Sequence, residues 1–192
     1  SRILLDCGLF QGLKLHRERN WQPLPIDLHS IDAVILSHAH LDHTGYLPAL
    51  GRSGLTAPII ATPDTARLAE LVLRDSAKLQ EEDAKYAAAK GFSKHAQPKP
   101  LYDADDVAPV LPLFRPVGYF ERVEAAKGVD GVLQPAGHIL GSPSALLQGP
   151  CDRRCSWRAT GASSSGSASW QRSPSISCPW SSVSSTTVAT AC

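Results

Sequence analysis

The chain has 192 residues and a formal net charge of +1, a length that suits one domain with a sizeable core. The near-neutral charge alone points to neither a nucleic acid nor a membrane partner. No apolar run approaches the roughly 18 residues of a membrane span and no signal peptide opens the sequence, so we expect a soluble, cytoplasmic protein.

Three strands are predicted in the first third of the chain. RILLDCG (2–8) predicts a strand that ends in a turn at Gly8, and IDAVILS (31–37) and APIIAT (57–62) predict two more. The continuous apolar run of the second is typical of a strand covered on both faces. Because the first strand has no preceding partner strand and no initiator methionine before it, we expect the chain to be cut from a longer protein.

A long helix is predicted over residues 62–91. Thr62 can cap its N-terminus, Pro63 fits the first turn, and Gly91 can end it. Ala66, Ala69 and Leu73 share one stripe of this helix, which predicts the face that packs on the core.

Shorter elements follow the long helix. A loop is predicted over 93–103, a short helix begins after Asp103, and 131–142 predicts a strand followed by a loop that holds His138. The segment SALLQG (144–149) begins another strand. Strands that alternate with helices imply an α/β layered domain.

Three of the seven histidines and an aspartate lie within six residues, in the sequence HAHLDH after the second predicted strand. His38 and His40 are two residues apart, so on an extended strand exit they point the same way and can bind one divalent ion. Asp42 and His43 follow the turn, which suits a second ion about 3.5–4 Å away. The alternative is a group of surface histidines on a loop. Isolated histidines elsewhere are interpreted as surface groups: His16, His29 and His95.

HAHLDH resembles the signature of the metallo-β-lactamase superfamily, whose members carry a zinc pair on an αββα sandwich. LLDCG and PAGHILGS agree with that family in order and spacing. LLDCGLFQG, HAHLDHTGYLPAL and the insert DSAKLQEEDAKYAAAKGFSKH are similar to the β-CASP branch of RNA-processing nucleases. The resemblance covers residues 1–149. It implies a partial metallo-β-lactamase sandwich and a zinc-dependent hydrolase that cuts RNA phosphodiesters.

The resemblance also implies which side chains bind metal. His38, His40 and His138 would hold the first zinc, and Asp42 and His43 would hold the second. Asp42 would in addition orient the attacking water, which makes it the candidate catalytic residue. His138 could instead be an isolated loop histidine.

Asp6, in LLDCG, matches a family aspartate that supports the ligand loop without touching metal. Its role would be to accept a hydrogen bond near that loop and so orient the ligands. The alternative is a turn-forming aspartate before Gly8. Cys7 is most simply a small buried hydrophobic residue.

Residues 150–192 differ in composition from the rest of the chain. Residues 151–192 contain 13 serines, four of the five cysteines and no leucine, so they lack the aliphatic groups that offset the entropy of ordering. We expect this tail to be disordered or read out of frame, since a one-base shift at 158–161 could give a Gly-Asp pair. The alternatives are a genuine low-complexity tail and metal binding by its cysteines.

The family pattern requires ligands that this sequence does not contain. A metal-bridging aspartate, a further histidine and a β-CASP domain should follow His138. After residue 149 there is no histidine, and Asp152, the only aspartate, comes too soon. We therefore expect a fragment without its β-CASP domain, with weak zinc binding and no turnover. Two other functions stay open: hydrolysis of small esters or thiolesters, and a non-catalytic scaffold in RNA processing.

Overall fold

The computed structural model describes residues 1–91 and 98–149, together with the backbone of four strands beyond residue 153. In these parts of the chain, the helices are α1 (Lys14–Arg17), α2 (Leu41–Thr44), α3 (Leu47–Arg52), α4 (Pro63–Lys90) and α5 (Ala104–Val107). Three short 3-10 helices join them: Glu18–Trp21, Leu28–Ser30 and Leu111–Leu113.

The strands of the described residues form two sheets. The bounds of the first seven are β1 (Arg2–Leu5), β2 (Ala33–Ile35), β3 (Ile59–Ala61), β4 (Phe114–Pro116), β5 (Arg122–Ala126), β6 (Val129–Pro135) and β7 (Pro143–Gln148). The last four are β8 (Arg154–Ala159), β9 (Trp170–Arg172), β10 (Trp180–Val183) and β11 (Thr186–Thr190).

The first sheet has the strand order β10-β11-β1-β2-β3-β4, and the second has β5-β6-β7-β8-β9. Strands β1 to β4 are parallel neighbours, with Leu4 opposite Val34 in the register of the first pair. The second sheet is antiparallel throughout. Parallel strands joined through helices place their carboxyl ends at one edge, where the loops that follow them meet.

Alternation along the short central strands divides the core into two layers. One set of side chains faces the second sheet and packs on it: Ile3, Leu5, Ala33, Ile35 and Ile60. The other set faces the helices: Leu4, Val34, Leu36, Ile59 and Ala61. The described residues therefore form a helix layer on a sheet that packs on a second sheet. This arrangement confirms the predicted α/β class and its partial αββα sandwich.

Helix α4 confirms the prediction over 62–91 at both ends. The Thr62 side chain accepts a hydrogen bond from the backbone N–H of Thr65, and Pro63 occupies the first turn. Gly91 ends the helix in the left-handed conformation at φ 66°, which glycine adopts without a Cβ penalty. Leu73 lies on the buried face, which packs on the first sheet.

Helix α5 confirms the predicted cap at Asp103. The side chain of Asp103 accepts a hydrogen bond from the N–H of Asp106, and the Asp106 carboxylate accepts one from the N–H of Asp103. This reciprocal arrangement satisfies two donors that the start of a helix leaves unpaired. Of the loop predicted over 93–103, residues 93–97 lie outside the described part of the chain.

The C-terminal tail, residues 150–192, forms strands in both sheets. Strand β8 pairs with β7 in the second sheet, and β11 pairs antiparallel with β1 in the first. The expectations for this tail, including its cysteines and its reading frame, concern side chains and segments outside the described residues. Within the described residues, no helix is long and apolar enough to span a bilayer.

Candidate metal centre

The site lies where the parallel strands β1 and β2 end side by side. Asp6 follows β1 directly, and its N–H donates to the carbonyl of Ile35 at 2.9 Å. Its backbone then turns into the left-handed region at φ 57°, a conformation in which aspartate is enriched among non-glycine residues. This turn brings the Asp6 carboxylate beneath the segment that carries the histidines.

The Asp6 carboxylate accepts hydrogen bonds from the ligand loop. One oxygen accepts from the N–H of Ser37 at 2.7 Å, and the other accepts from the Ser37 hydroxyl and from Nδ1 of His43, each at 2.7 Å. Asp6 is 1% exposed. A carboxylate on the second nitrogen of a histidine fixes the ring's tautomer and orientation.

Backbone contacts also fix the ligand loop on the segment after β1. The N–H of Cys7 donates to the carbonyl of His43 at 2.7 Å, and the N–H of Leu9 donates to that of Leu41 at 2.8 Å. Between them, a Cβ on Gly8 would lie 1.7 Å from the carbonyl oxygen of Asp42. Only glycine therefore allows this close approach, which explains why the LLDCG motif ends as it does.

Three imidazoles converge above this support. The candidate ligand atoms of His38, His40 and His138 all lie within 4.8 Å of one another. The ring centroid of His138 is 4.6 Å from that of His38 and 5.3 Å from that of His40. His38 is buried, whereas His40 and His138 are exposed. The cluster therefore opens to solvent on one side, where a substrate can approach.

Burial keeps the first histidine neutral. It lowers the pKa of His38 to about 2, helped by the charges that His43, His40 and His138 would carry if protonated. An imidazole binds metal through a neutral nitrogen. The lowered pKa of His38 therefore favours its neutral, metal-binding form.

Asp42 and His43 lie beside the three-histidine cluster, on helix α2. The ring centroids of His38 and His43 are 3.9 Å apart, and Nε2 of His43 is 3.6 Å from the Asp42 carboxylate. Burial lowers the pKa of His43, but its hydrogen bond to Asp6 and the charges of Asp6 and Asp42 outweigh that effect, so the pKa lies above its usual value. The Asp42 side chain is 40% exposed, and the group of candidate ligands that lie within 4.8 Å of one another consists of His38, His40 and His138 without Asp42.

Cys7 confirms its interpretation as a buried hydrophobic residue. It is 0% exposed, and burial, with the nearby charge of Asp6, raises the pKa of its thiol. A protonated thiol is a poor metal ligand because the thiolate is the binding form. The metal-binding chemistry of this region is therefore left to imidazole and carboxylate groups.

Sequence reasoning missed Ser37. This residue is 0% exposed, and its hydroxyl lies 3.0 Å from Nδ1 of both His38 and His43 while it donates to Asp6. A signal was present, because Asp6 and Ser37 lie near the carboxyl ends of the predicted strands 2–8 and 31–37. Predicting that these two strands pair in parallel, as they do, would have placed the two residues side by side.

The donor set fits a zinc ion. Zinc takes imidazole nitrogens at about 2.0–2.1 Å, often three of them in a catalytic site, and the ligand atoms of the three imidazoles lie within 4.8 Å of one another, close enough to share one ion. A position left for solvent or substrate is available because two of the three histidines are exposed. A layered α/β fold with such a cluster at its strand ends is the arrangement of a metal-binding domain.

Comparison with known families agrees with that class. The family model described as a beta-lactamase superfamily domain matches residues 1–94. These residues therefore belong to the metallo-β-lactamase superfamily, as the motifs HAHLDH and LLDCG predict.

Several curated proteins are similar over a longer stretch. Ribonuclease TTHA0252 of Thermus thermophilus is 37% identical over 148 residues, which is 77% of this chain and 30% of that protein. The transcription termination factor FttA of Cenarchaeum symbiosum is 34% identical over 74% of this chain and 20% of that protein. Probable RNase MJ4 of Methanocaldococcus jannaschii is 34% identical over 77% and 30%. These relatives confirm the resemblance to the β-CASP ribonuclease branch, and the chain spans less than a third of each.

Among solved structures, a metallo-β-lactamase of Cronobacter sakazakii with a HARLDQ motif is 22% identical, with a TM-score of 0.48 over 84% of this chain and 53% of that one. MEM-A1, a subclass B3 metallo-β-lactamase from a soil metagenome library, is 21% identical, with a TM-score of 0.42 over 80% of this chain and 50% of that one.

Proposed function

We propose that this chain carries the first metal site of a zinc-dependent hydrolase that cuts RNA phosphodiesters. The observation that carries the proposal is the convergence of His38, His40 and His138, which come from two distant parts of the sequence, within 4.8 Å. RNA as the substrate class is supported by the ribonuclease names of similar proteins. The chain covers 30% or less of each of these relatives, so the activity of a longer protein is part of this proposal.

In this proposal, His38, His40 and His138 hold the first zinc, and Asp42 and His43 contribute to a second. Zinc in such a site polarises a phosphoryl oxygen and activates the attacking water. Asp42, whose side chain is 40% exposed and lies 3.6 Å from Nε2 of His43, would accept a hydrogen bond from that water and orient it.

Asp6 acts through the ligands in this scheme. Its carboxylate holds Nδ1 of His43 at 2.7 Å, which leaves Nε2 as the only ring nitrogen that can face a metal or Asp42. The same carboxylate holds the backbone at Ser37 at 2.7 Å, directly before His38. The carboxylate thus orients two of the proposed ligands, and the turn at Asp6 is what places it beneath them.

We propose further that the chain as given binds zinc weakly and has no turnover. The sequence after residue 149 contains no histidine, and its only aspartate is Asp152. The second site would then be held by Asp42 and His43 alone, fewer than the three protein ligands usual at a catalytic zinc. A metal held by so few ligands exchanges readily with solvent.

Zinc titration and activity assays on the 192-residue chain test the proposal. The matched variants are His40→Ala, which removes a proposed ligand, and His29→Ala, which removes an exposed histidine elsewhere. We expect zinc binding by wild type and His29→Ala, a much weaker response from His40→Ala, and no cleavage of RNA or of a thiolester. Equal zinc binding by all three chains would overturn the metal site.

The activity assays carry two further outcomes. Cleavage of RNA that His40→Ala abolishes, with about two zinc ions per chain, would support the RNA assignment and contradict the expected inactivity. Cleavage of the thiolester with no effect on RNA would replace the proposed substrate class.

A further inference from the structure

The loop that carries His138 is a closed turn. The N–H of Ala136 donates to the carbonyl of Ser142 at 2.9 Å, and the N–H of Ser142 donates to that of Ile139 at 3.0 Å. The Ser142 hydroxyl accepts from the N–H of Ile139 at 2.9 Å and donates to its carbonyl at 2.7 Å. Gly137 and Gly141 take left-handed conformations at φ 74° and 80°. These hydrogen bonds therefore constrain the backbone on both sides of His138.

Two hydroxyls of helix α4 hold that turn from outside. The carbonyl oxygen of Gly141 accepts a hydrogen bond from Oγ1 of Thr62 at 2.6 Å and another from Oγ1 of Thr65 at 2.9 Å. Both threonines are buried, at 1% and 0% exposure. A carbonyl that accepts two hydrogen bonds in a buried place is fixed in position, because losing either one leaves a polar group without its partner.

The contact is also sterically close. A Cβ on Gly141 would lie 2.6 Å from the backbone nitrogen of Thr65 and 2.8 Å from Cβ of Asp64. Because glycine lacks that atom, the turn can lie directly against the first turn of α4. The GHILGS motif and the TPDT sequence at the start of α4 are thus two halves of one interface.

Two of the other proposed ligands, His38 and His43, have side-chain partners beside their rings, whereas the interface with helix α4 holds the turn that carries His138. His43 has the Asp6 carboxylate on its second nitrogen, at 2.7 Å, and the Ser37 hydroxyl lies 3.0 Å from Nδ1 of His38. The ring of His138 lies against the rings of His38 and His40, with centroids 4.6 and 5.3 Å away. Its backbone belongs to the turn that the two threonines hold.

We propose that Thr65, together with Thr62, is a positioning residue for the metal site. The two hydroxyls hold the Gly141 carbonyl and so hold the imidazole of His138 over those of His38 and His40. The inference rests on the proposed zinc site. It adds that helix α4, which contributes no ligand, sets the affinity and the coordination of the metal.

The test measures binding of Co²⁺, a spectroscopic substitute for zinc, to the 192-residue chain. Thr65→Val keeps the branched shape and removes the hydroxyl, and Thr65→Ser restores a hydroxyl. Ser76→Ala is the matched control, because it removes a buried hydroxyl from the same helix, where Ser76 accepts from the Tyr102 hydroxyl at 2.8 Å. His138→Ala reports the complete loss of the ligand.

We expect Thr65→Val to weaken Co²⁺ binding about tenfold, the size found when a group that orients a ligand is removed. Its visible spectrum at saturating Co²⁺ should shift toward that of His138→Ala. Thr65→Ser should recover most of the affinity, and Ser76→Ala should bind as wild type does, although both helix variants lower the thermal stability. Thr65→Ala, which favours the helix more than valine does, repeats the test if the valine variant does not fold.

Two results would overturn the inference, and they are distinguishable. If Thr65→Val loses stability but binds Co²⁺ with the affinity and spectrum of wild type, Thr65 is only structural and the zinc site stands. If wild type and His138→Ala bind Co²⁺ equally, the three-histidine site fails and the positioning role fails with it.

Discussion

Asp6 combines two features that rarely occur together at one residue. Its backbone is left-handed at φ 57°, and its carboxylate is buried at 1% exposure with donors from Ser37 and His43. A non-glycine residue held in this region costs free energy, and such residues concentrate at functional sites. The turn geometry and the hydrogen bonds to the histidine segment, which the sequence leaves as alternatives, therefore occur at the same residue.

Replacing Asp6 by asparagine tests its electrostatic role. Asp6→Asn keeps the size of the side chain and removes its negative charge. It also replaces one accepting oxygen by an NH₂ group, which then faces a hydrogen-bond donor. We expect the pKa of His43 to fall, because the hydrogen bond and charge of Asp6 hold it above its usual value, and the free energy of unfolding to fall by about 1–3 kcal/mol. Histidine NMR titration and urea unfolding of the metal-free chain measure the two effects.

The control for this variant is Asp32→Asn. Asp32 is exposed, and its carboxylate accepts a hydrogen bond from the N–H of Arg2 at 2.6 Å, at the opposite end of the sheet from the histidines. Asp32→Asn should not change the pKa of His43. An unchanged His43 titration in Asp6→Asn would show that Asp6 contributes packing rather than charge.

Site residues that lie close together in one motif can be predicted from the sequence, whereas residues far apart in the sequence are harder to assign to the site. HAHLDH names four side chains in one turn, whereas His138 lies nearly 100 residues away and is found only through the setting GHILGS. Ser37 and Thr65 are not predicted as site residues, because a single hydroxyl residue belongs to no recognisable spacing pattern. Their importance comes from tertiary neighbours that lie 31 and 76 residues away.

Among the elements, helix α4 is the one whose ends the sequence predicts best. Thr62, Pro63 and Gly91 are local signals, and each acts through the backbone next to it. The strands are shorter than their apolar runs suggest: β2 covers only Ala33–Ile35 of the run 31–37. The run remains buried beyond the strand because Leu36 packs on the helices and Ser37 turns toward Asp6.

The end of α4 supports a prediction about backbone strain. Gly91 has φ 66° and is exposed, so Gly91→Ala adds a Cβ penalty without adding packing. We expect this variant to lower the free energy of unfolding by about 1 kcal/mol. Ala88→Gly is the reverse exchange at an exposed position inside the same helix, and it should also lower the free energy of unfolding by about 1 kcal/mol. Urea unfolding of both variants checks the pair.

The outcome that contradicts this reasoning is a gain in stability from Gly91→Ala. Helix propensity alone predicts such a gain, because alanine is favoured over glycine in helices. The two substitutions thus separate the effect of conformation at the helix end from the effect of propensity in its interior.

At the scale of the whole molecule, the sequence predicts the layers but not the pairing between distant segments. Alternation of strands and helices indicates an α/β domain, and β1 to β4 form its parallel sheet. How that sheet packs on β5, β6 and β7 depends on contacts between distant side chains, such as Ile3 and Leu5 in one cluster with Val123 and Leu147. No local sequence pattern predicts these contacts. The position of His138 beside the other histidines therefore follows from the packing of the two sheets rather than from a motif.

The protonation of the buried histidine links the site to global stability. The pKa of His38 is lowered to about 2 in the folded chain, against about 6.5 when unfolded. Between these pH values, the unfolded chain binds a proton at this residue and the folded chain does not. The contribution of His38 to the free energy of unfolding therefore falls as the pH falls below about 6.5, by up to about 1.4 kcal/mol per pH unit.

His38→Gln removes this contribution and should make the metal-free chain less sensitive to acid. Measured by urea unfolding in a chelator at pH 7.5, 6 and 5, wild type should lose stability faster than the variant, and His29→Gln, at an exposed position, should follow wild type. The raised pKa of His43 acts in the opposite direction, because a group that binds its proton more tightly when folded stabilises the chain as the pH falls. His43 is present in all three chains, and because it lies against His38 and lowers its pKa, the difference between the slopes reports His38 together with that coupling. Parallel slopes would mean that the folded chain accepts a proton at His38, and that this imidazole is not held in its metal-binding form.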